Sequence, residues 1–222
     1  MSEVLEPKHP RAVRWFHWIN FPLLGLMLWS GLLIYWANPV YRIGFGSVTL
    51  FHFFPKWFYG LFNADQRLAE GMDWHFFFMW LFAINGLAYV IYTAVSGEWR
   101  YLVPNRQSFR EAIQVTLHDL HLSKKVPPRR KFNGAQQIAY TAIVLMGAGS
   151  LVTGLAIWKP VQFGWVTALL GGYRAARLEH FVLAFGYCAF FVVHIAQVCR
   201  AGWNNLRSMI TGYELVAAEE ER

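Results

Sequence analysis

Charged side chains are scarce in this sequence. Lysine, arginine, aspartate and glutamate make up only 15% of its 222 residues, whereas they make up about a quarter of an average soluble domain. Hydrophobic residues account for 56% of the chain and aromatic residues for 18%. This balance is not that of a soluble globular domain, and it predicts an integral membrane protein.

Cysteine is nearly absent, and repeats and linkers are not found. Cys188 and Cys199 lie on one apolar segment, too far apart along a helix to form a disulfide. No internal repeat, low-complexity tract or Pro/Gly-rich linker divides the chain, so we expect a single domain over residues 1–222. The basic N-terminal arm has no short apolar core followed by a small-residue cleavage site, and we expect the first span to remain as an anchor.

Four apolar segments are long enough to cross a hydrocarbon core of about 30 Å. They cover about residues 15–36, 74–96, 132–158 and 178–200. Between the first two, Ile43 to Pro55 is apolar but too short to span, and it predicts a re-entrant or interfacial segment. The expected fold class is all-α, an integral membrane four-helix bundle.

The distribution of basic residues predicts the orientation. The N-terminal arm, the loop after the second span and the C-terminal tail hold fourteen of the 20 Lys and Arg residues, and the opposite loops hold six. The positive-inside rule then places both termini in the cytoplasm. Because topology accounts for the net charge of +7, that charge does not point to a nucleic-acid partner.

Four histidines lie at the ends of these spans. His180 and His194 are fourteen residues apart, close to four helical turns, so both leave one face of the fourth span about 21 Å apart. The predicted orientation places His17 with His194 on the cytoplasmic side and His75 with His180 on the outer side. Since neutral imidazole is a natural axial ligand of haem iron, we predict two bis-histidine haems stacked across the bilayer.

Other interpretations of these residues are open. The histidines are also compatible with interfacial positions near helix ends, or with a proton or substrate path in a haem-free transporter or anchor. Arg14 and Arg177 flank the inner and outer pairs and are candidates for haem propionates, because guanidinium matches carboxylate. As flanking charges they are equally explained as topology signals.

Three stretches resemble the bacterial membrane cytochrome b subunits of formate dehydrogenase, nickel-iron hydrogenase and thiosulfate reductase. They are Arg14-Trp15-Phe16-His17-Trp18, the run from Lys131 to Gln136 leading to a helix that ends Thr153-Gly154-Leu155-Ala156-Ile157-Trp158-Lys159-Pro160, and the spacing of His180 and His194. The resemblance implies a four-helix bundle with two b haems, ligated by the first and last helices on the inner side and by the second and last on the outer side.

The resemblance also implies a quinone site near the inner haem, at the start of the third span. This maps to Asn133 and Gln136, whose amides can hydrogen-bond a quinone carbonyl. An ordinary helix N-terminus with Asn133 as its cap explains the same residues.

The family exchanges electrons with a redox subunit outside the membrane. We expect a molybdopterin or iron-sulfur oxidoreductase as the partner, with a hydrogenase as the second choice. The long aromatic segment 37–73 departs from the common pattern, is closer to the thiosulfate-reductase-type branch, and is the expected docking region. The expected function is electron transfer between that subunit and quinone in the bacterial inner membrane; a self-contained transmembrane reductase is the alternative.

Overall fold

A computed structural model describes residues 3–124 and 131–217 of the chain. Residues 125–130 of the basic loop and 218–222 of the tail, which contribute to the predicted orientation, lie outside the described residues. The helices are α1 (Arg11–Trp36), α2 (Lys56–Leu61), α3 (Leu68–Ser96), α4 (Trp99–Leu102), α5 (Arg106–Asp119), α6 (Gly134–Trp158), α7 (Gly164–Leu169) and α8 (Tyr173–Thr211). The strands are β1 (Glu3–Pro7), β2 (Arg42–Phe45), β3 (Val48–His52) and β4 (Tyr213–Ala217).

Four helices, α1, α3, α6 and α8, are long and apolar enough to cross a membrane. This confirms the four predicted spans. α3 begins before the predicted start at residue 74, and α8 continues past the predicted end at residue 200. The difference arises because hydropathy detects only the apolar part of a helix, whereas backbone hydrogen bonding continues into its polar ends.

The ends of α6 and α8 follow from local chemistry. Asn133 caps the first turn of α6, and the helix stops before Lys159-Pro160 because proline cannot continue the backbone hydrogen-bond ladder. α8 is interrupted at Gly202, which has φ of 80°, and is capped by Gly212 in the left-handed region. Glycine adopts these angles without the steric penalty that a Cβ brings.

One compact unit is formed by His17–Asn85, called here the hairpin unit. Its buried cluster contains Leu33, Tyr59 and Ala64. The segment predicted to be re-entrant or interfacial contains an antiparallel hairpin of β2 and β3, a secondary structure that the prediction did not include. At its bulge, a Cβ on Gly44 would lie 2.1 Å from the Val48 carbonyl oxygen, so only glycine fits there.

The second unit consists of Met1–Phe16 with Gly86–Arg222 and is called here the terminal unit. In it β1 pairs antiparallel with β4, so the two chain ends are held together. The all-α prediction thus holds for the spans, while the described residues also include two two-stranded sheets. α5 packs on the start of α6, where the Ser108 hydroxyl donates to Gln137 Oε1 at 2.6 Å.

Candidate haem site

His75 lies against α1 within the hairpin unit. Its Nδ1 is 2.9 Å from the Ser30 hydroxyl oxygen. A Cβ built on Gly31 would be 3.5 Å from His75 Cε1, so the ring rests on the backbone of that glycine. Ser30 is fully buried. α1 therefore supplies both a hydrogen-bonding group and a flat surface for this imidazole.

His180 lies against α6 within the terminal unit. Its Nδ1 is 2.9 Å from Thr153 Oγ1. A Cβ on Gly154 would be 3.5 Å from His180 Cε1. Thr153 is buried, with 3% of its surface exposed. The hydroxyl and glycine contacts of His180 thus match those of His75.

The two hydroxyls favour one tautomer of each histidine ring. Ser30 Oγ donates to the Leu26 carbonyl at 2.7 Å, and Thr153 Oγ1 donates to the Gly149 carbonyl at 2.7 Å. A hydroxyl has a single proton to donate, so towards histidine each oxygen is an acceptor. The tautomer with its proton on Nδ1 fits this arrangement in both rings, and it leaves on Nε2 the lone pair that a metal can use.

The other two predicted ligands have aromatic neighbours. The His194 ring stacks on Phe190 with a centroid separation of 5.6 Å and an interplanar angle of 7°. The His17 ring meets Trp18 edge to face, with centroids 5.0 Å apart. Packing of this kind limits rotation of an imidazole about its side-chain bonds.

The predicted ligands are divided between the two units. His17 and His75 belong to the hairpin unit, and His180 and His194 to the terminal unit. α8 is continuous from His180 to His194, because its interruption comes later at Gly202. The predicted separation of about 21 Å along one helix therefore follows from the observed helix and its rise per residue.

The proposed quinone amides form a capping box at the start of α6. Asn133 Oδ1 accepts from the Gln136 backbone N–H at 3.0 Å, and Gln136 Oε1 accepts from the Asn133 backbone N–H at 3.0 Å. The helix-cap interpretation is thus confirmed. Both amide oxygens are engaged in the cap, which leaves the amide nitrogens as the groups that a quinone carbonyl could contact.

The candidate propionate ligands differ in their surroundings. The Arg14 guanidinium donates to the backbone carbonyl of Ile210 at the end of α8, where basic side chains commonly bind the last carbonyls of a helix. Arg177 is partly exposed in the first turns of α8. Arg14 therefore has a structural contact already.

Two buried hydroxyl residues and one tyrosine were not identified from the sequence. Ser30 and Thr153 precede glycine in apolar helices, and these Ser-Gly and Thr-Gly pairs are the one signal that could have found them. The Tyr59 side chain is fully buried, and its hydroxyl has no hydrogen-bond partner among the described residues. A buried hydroxyl donor of this kind is suited to a carboxylate brought by a cofactor.

Haem is compatible with these residues. Among residues 3–124 and 131–217, no group of three or more His, Cys, Asp or Glu side chains could hold a metal ion. A bis-histidine haem needs no such group, because the porphyrin supplies four nitrogens and the protein supplies only the axial ligands. An imidazole with its proton held on Nδ1 meets that requirement.

Four long apolar helices, with histidines whose Nδ1 lies against a buried hydroxyl, define the class of multi-pass membrane cytochromes b. The chain belongs to the prokaryotic cytochrome b561 family, whose profile matches residues 8–212. Membership of this family implies haem b. The predicted resemblance to bacterial membrane cytochromes b is thereby confirmed.

A curated relative covers nearly the whole chain. It is a protein of Azospira oryzae, provisionally named protein-methionine-sulfoxide reductase subunit YedZ1. The two sequences are 31% identical over 214 residues, which is 96% of this chain and 100% of the relative.

Proposed function

We propose that this protein is a di-haem b-type cytochrome subunit of the bacterial inner membrane that passes electrons between quinone and an extracytoplasmic oxidoreductase. His75 and His180 hold the outer haem, and His17 and His194 hold the inner one. Both termini face the cytoplasm, and the four spans act as one bundle. The pairing follows from the order of the spans and the distribution of basic residues.

The observation that supports this proposal best is the buried hydroxyl oxygen that lies 2.9 Å from Nδ1 in two of the four histidines. Bound haem b supplies one-electron transfer through its iron. The chain holds each outer imidazole with Nδ1–H donated to a buried hydroxyl, which directs the Nε2 lone pair to a metal. The apolar helices keep water away from the histidines, and these apolar surroundings also influence the reduction potential of the haem.

The quinone site is placed at the start of α6. The amide nitrogens of Asn133 and Gln136 are the donors available to a quinone carbonyl. Gly134, between these two residues, allows α5 to approach closely, because a Cβ there would lie 2.8 Å from Glu111 Cβ. Arg14 and Arg177 are the candidates for the propionates of the inner and outer haem.

The relative's name favours a reductase as the partner. A membrane subunit of a methionine-sulfoxide reductase would deliver electrons, so the flow proposed here runs from quinol to the outer haem and then to a molybdopterin or iron-sulfur subunit. The docking region is the aromatic segment 37–73. Several of its large apolar side chains are open to the surroundings, with Phe45 80% and Trp57 69% exposed.

Haem stoichiometry tests the proposal. Pyridine haemochrome analysis of the purified protein should give two b haems per chain, and His180→Ala and His194→Ala should each retain one. Removing one axial imidazole removes half of the protein ligation of one iron and leaves the other site intact.

His121→Ala is the matched control. His121 lies just after α5 and outside the four spans, and its ring Nδ1 is near the Asp119 carbonyl at 3.2 Å. This variant should keep both haems. Wild-type protein that is well folded and contains no haem would overturn the proposal and favour the transporter interpretation of the histidines.

A further inference from the structure

The same short sequence pattern occurs once in each unit. Residues 30–34 read Ser-Gly-Leu-Leu-Ile in α1, and residues 153–157 read Thr-Gly-Leu-Ala-Ile in α6. In each case a hydroxyl residue is followed by glycine, then leucine, and then isoleucine two positions further on. Each stretch lies under one of the outer histidines.

The contacts that the two stretches make with the histidines are closely similar. The hydroxyl oxygen is 2.9 Å from histidine Nδ1 in both. The following glycine would place a Cβ 3.5 Å from histidine Cε1 in both. Both hydroxyl residues are buried, so neither water nor lipid competes for the hydrogen bond.

The packing one turn further along is also equivalent. In the hairpin unit, Leu33 packs against Gly71, where a Cβ would lie 2.7 Å from the leucine Cβ. In the terminal unit, Ala156 and Ala176 are fully buried in one cluster. Gly71 and Ala176 each precede their histidine by four residues. In the first pair a large side chain faces glycine, and in the second two small side chains face each other. Both arrangements let the paired helices pack closely.

The hydrogen bond changes the histidine as a ligand. A hydroxyl that accepts from Nδ1–H increases the electron density of the imidazole and its basicity at Nε2. A more basic axial ligand stabilises ferric over ferrous iron. The hydroxyl therefore lowers the reduction potential of the haem that the histidine holds.

We propose that Ser30 and Thr153 are equivalent positioning residues that orient His75 and His180, hold their protons on Nδ1 and lower the reduction potential of the outer haem. The inference rests on the proposed function, because it requires that these two histidines bind haem. It names the residues that set the reduction potential of the outer haem. It also gives a reason for the matching surroundings of His75 and His180.

Potentiometric titration of Ser30→Ala and Thr153→Val tests the inference. Each variant should keep two haems per chain and should raise the midpoint potential of one haem. We expect a change of about tenfold in the equilibrium between its oxidised and reduced forms, which is about 59 mV for one electron. Electron paramagnetic resonance of the same haem should change as well, because the imidazole loses its fixed orientation.

Two further variants separate this role from simple packing. Thr153→Ser keeps the hydroxyl and should keep the wild-type potential, whereas Thr153→Val keeps the shape and should not. Thr93→Val is the matched control, since Thr93 is also buried and its hydroxyl donates to the Tyr89 carbonyl at 3.0 Å in the same back-bonded manner. Its removal should leave both potentials unchanged.

The outcomes distinguish this inference from the proposed function. If Ser30→Ala and Thr153→Val shift the same haem, both the inference and the pairing of His75 with His180 are supported. If they shift different haems, that pairing is wrong. If two haems are present and neither variant moves a potential more than Thr93→Val does, the inference alone fails. Wild-type protein that contains no haem would overturn both the inference and the proposed function.

Discussion

Gly71 shows how a single residue controls the position of a proposed ligand. It is buried four residues before His75, on the same side of α3. A Cβ at this position would be 2.7 Å from Leu33 Cβ and 3.1 Å from the Ser30 carbonyl oxygen. The absence of a side chain therefore sets the distance between α1 and α3 at the level where Ser30 contacts the histidine.

Gly71→Ala should destabilise the protein by about 1–3 kcal/mol, because the added methyl group forces the helices apart. The displacement should also weaken the contact between Ser30 and His75 and reduce the haem content. Unfolding in detergent and haem per chain measure the two effects.

Gly25→Ala is the control for that substitution. Gly25 lies on α1 in the same unit, and a Cβ there meets no described atom within 4 Å. The change should leave the stability unaltered or increase it by up to about 1 kcal/mol, since alanine favours the helix over glycine. If Gly71→Ala and Gly25→Ala changed the stability equally, close packing at Gly71 would not explain the result.

At the scale of a single helix, the first turn of α6 has a capping role and a proposed role in binding quinone. The capping box between Asn133 and Gln136 satisfies backbone N–H groups that a helix start leaves without partners. The proposed quinone contact needs the amide nitrogens of the same side chains. Substitution at Asn133 can separate these functions, because serine is also a good N-cap but has no amide.

Asn133→Ser should unfold at nearly the wild-type denaturant concentration, whereas Asn133→Ala should lose about 1 kcal/mol. If the amide binds quinone, both variants should raise the KM for quinol by about two- to tenfold, the value of one neutral hydrogen bond. Steady-state reduction of the haems by quinol measures this. An unchanged KM in Asn133→Ser would leave Asn133 with a capping role only.

At the scale of the whole molecule, the two chain ends are held together. β1 and β4 pair, and Lys8 Nζ donates to Glu214 Oε1 at 2.9 Å and to Asn205 Oδ1 at 3.0 Å. Four spans also return the chain to the side where it began. Both observations agree with the proposal that the ends share one side of the membrane, and the basic loops predict that this side is the cytoplasm.

Reporter fusions test the predicted orientation. A fluorescent protein that folds only in the cytoplasm should be bright when fused after Arg222. Alkaline phosphatase, which needs the oxidising exterior, should be active when inserted at the turn between β2 and β3. The reverse result would move His75 and His180 to the cytoplasmic side and exchange the proposed quinone and partner sides.

Much of the protein was predictable from properties that are local in the chain. The four spans follow from runs of apolar residues, and the helical spacing of His180 and His194 follows from a constant rise per residue. The capping role of Asn133 also has a local signal. The interpretation of residues 43–55 missed the hairpin, because a short apolar run does not by itself distinguish a strand from a membrane-inserted segment.

The sequence by itself determined the membrane class, the number of spans and the four histidines that mark the proposed haem sites, because hydropathy and residue chemistry belong to each position independently. Only the tertiary structure decided that Ser30 contacts His75 and that Thr153 contacts His180. Ser30 is 45 residues from His75, and Thr153 is 27 residues from His180. No periodic pattern links positions so far apart, so the hydroxyl contacts at Nδ1, which favour the tautomer with its lone pair on Nε2, were decided by helix packing.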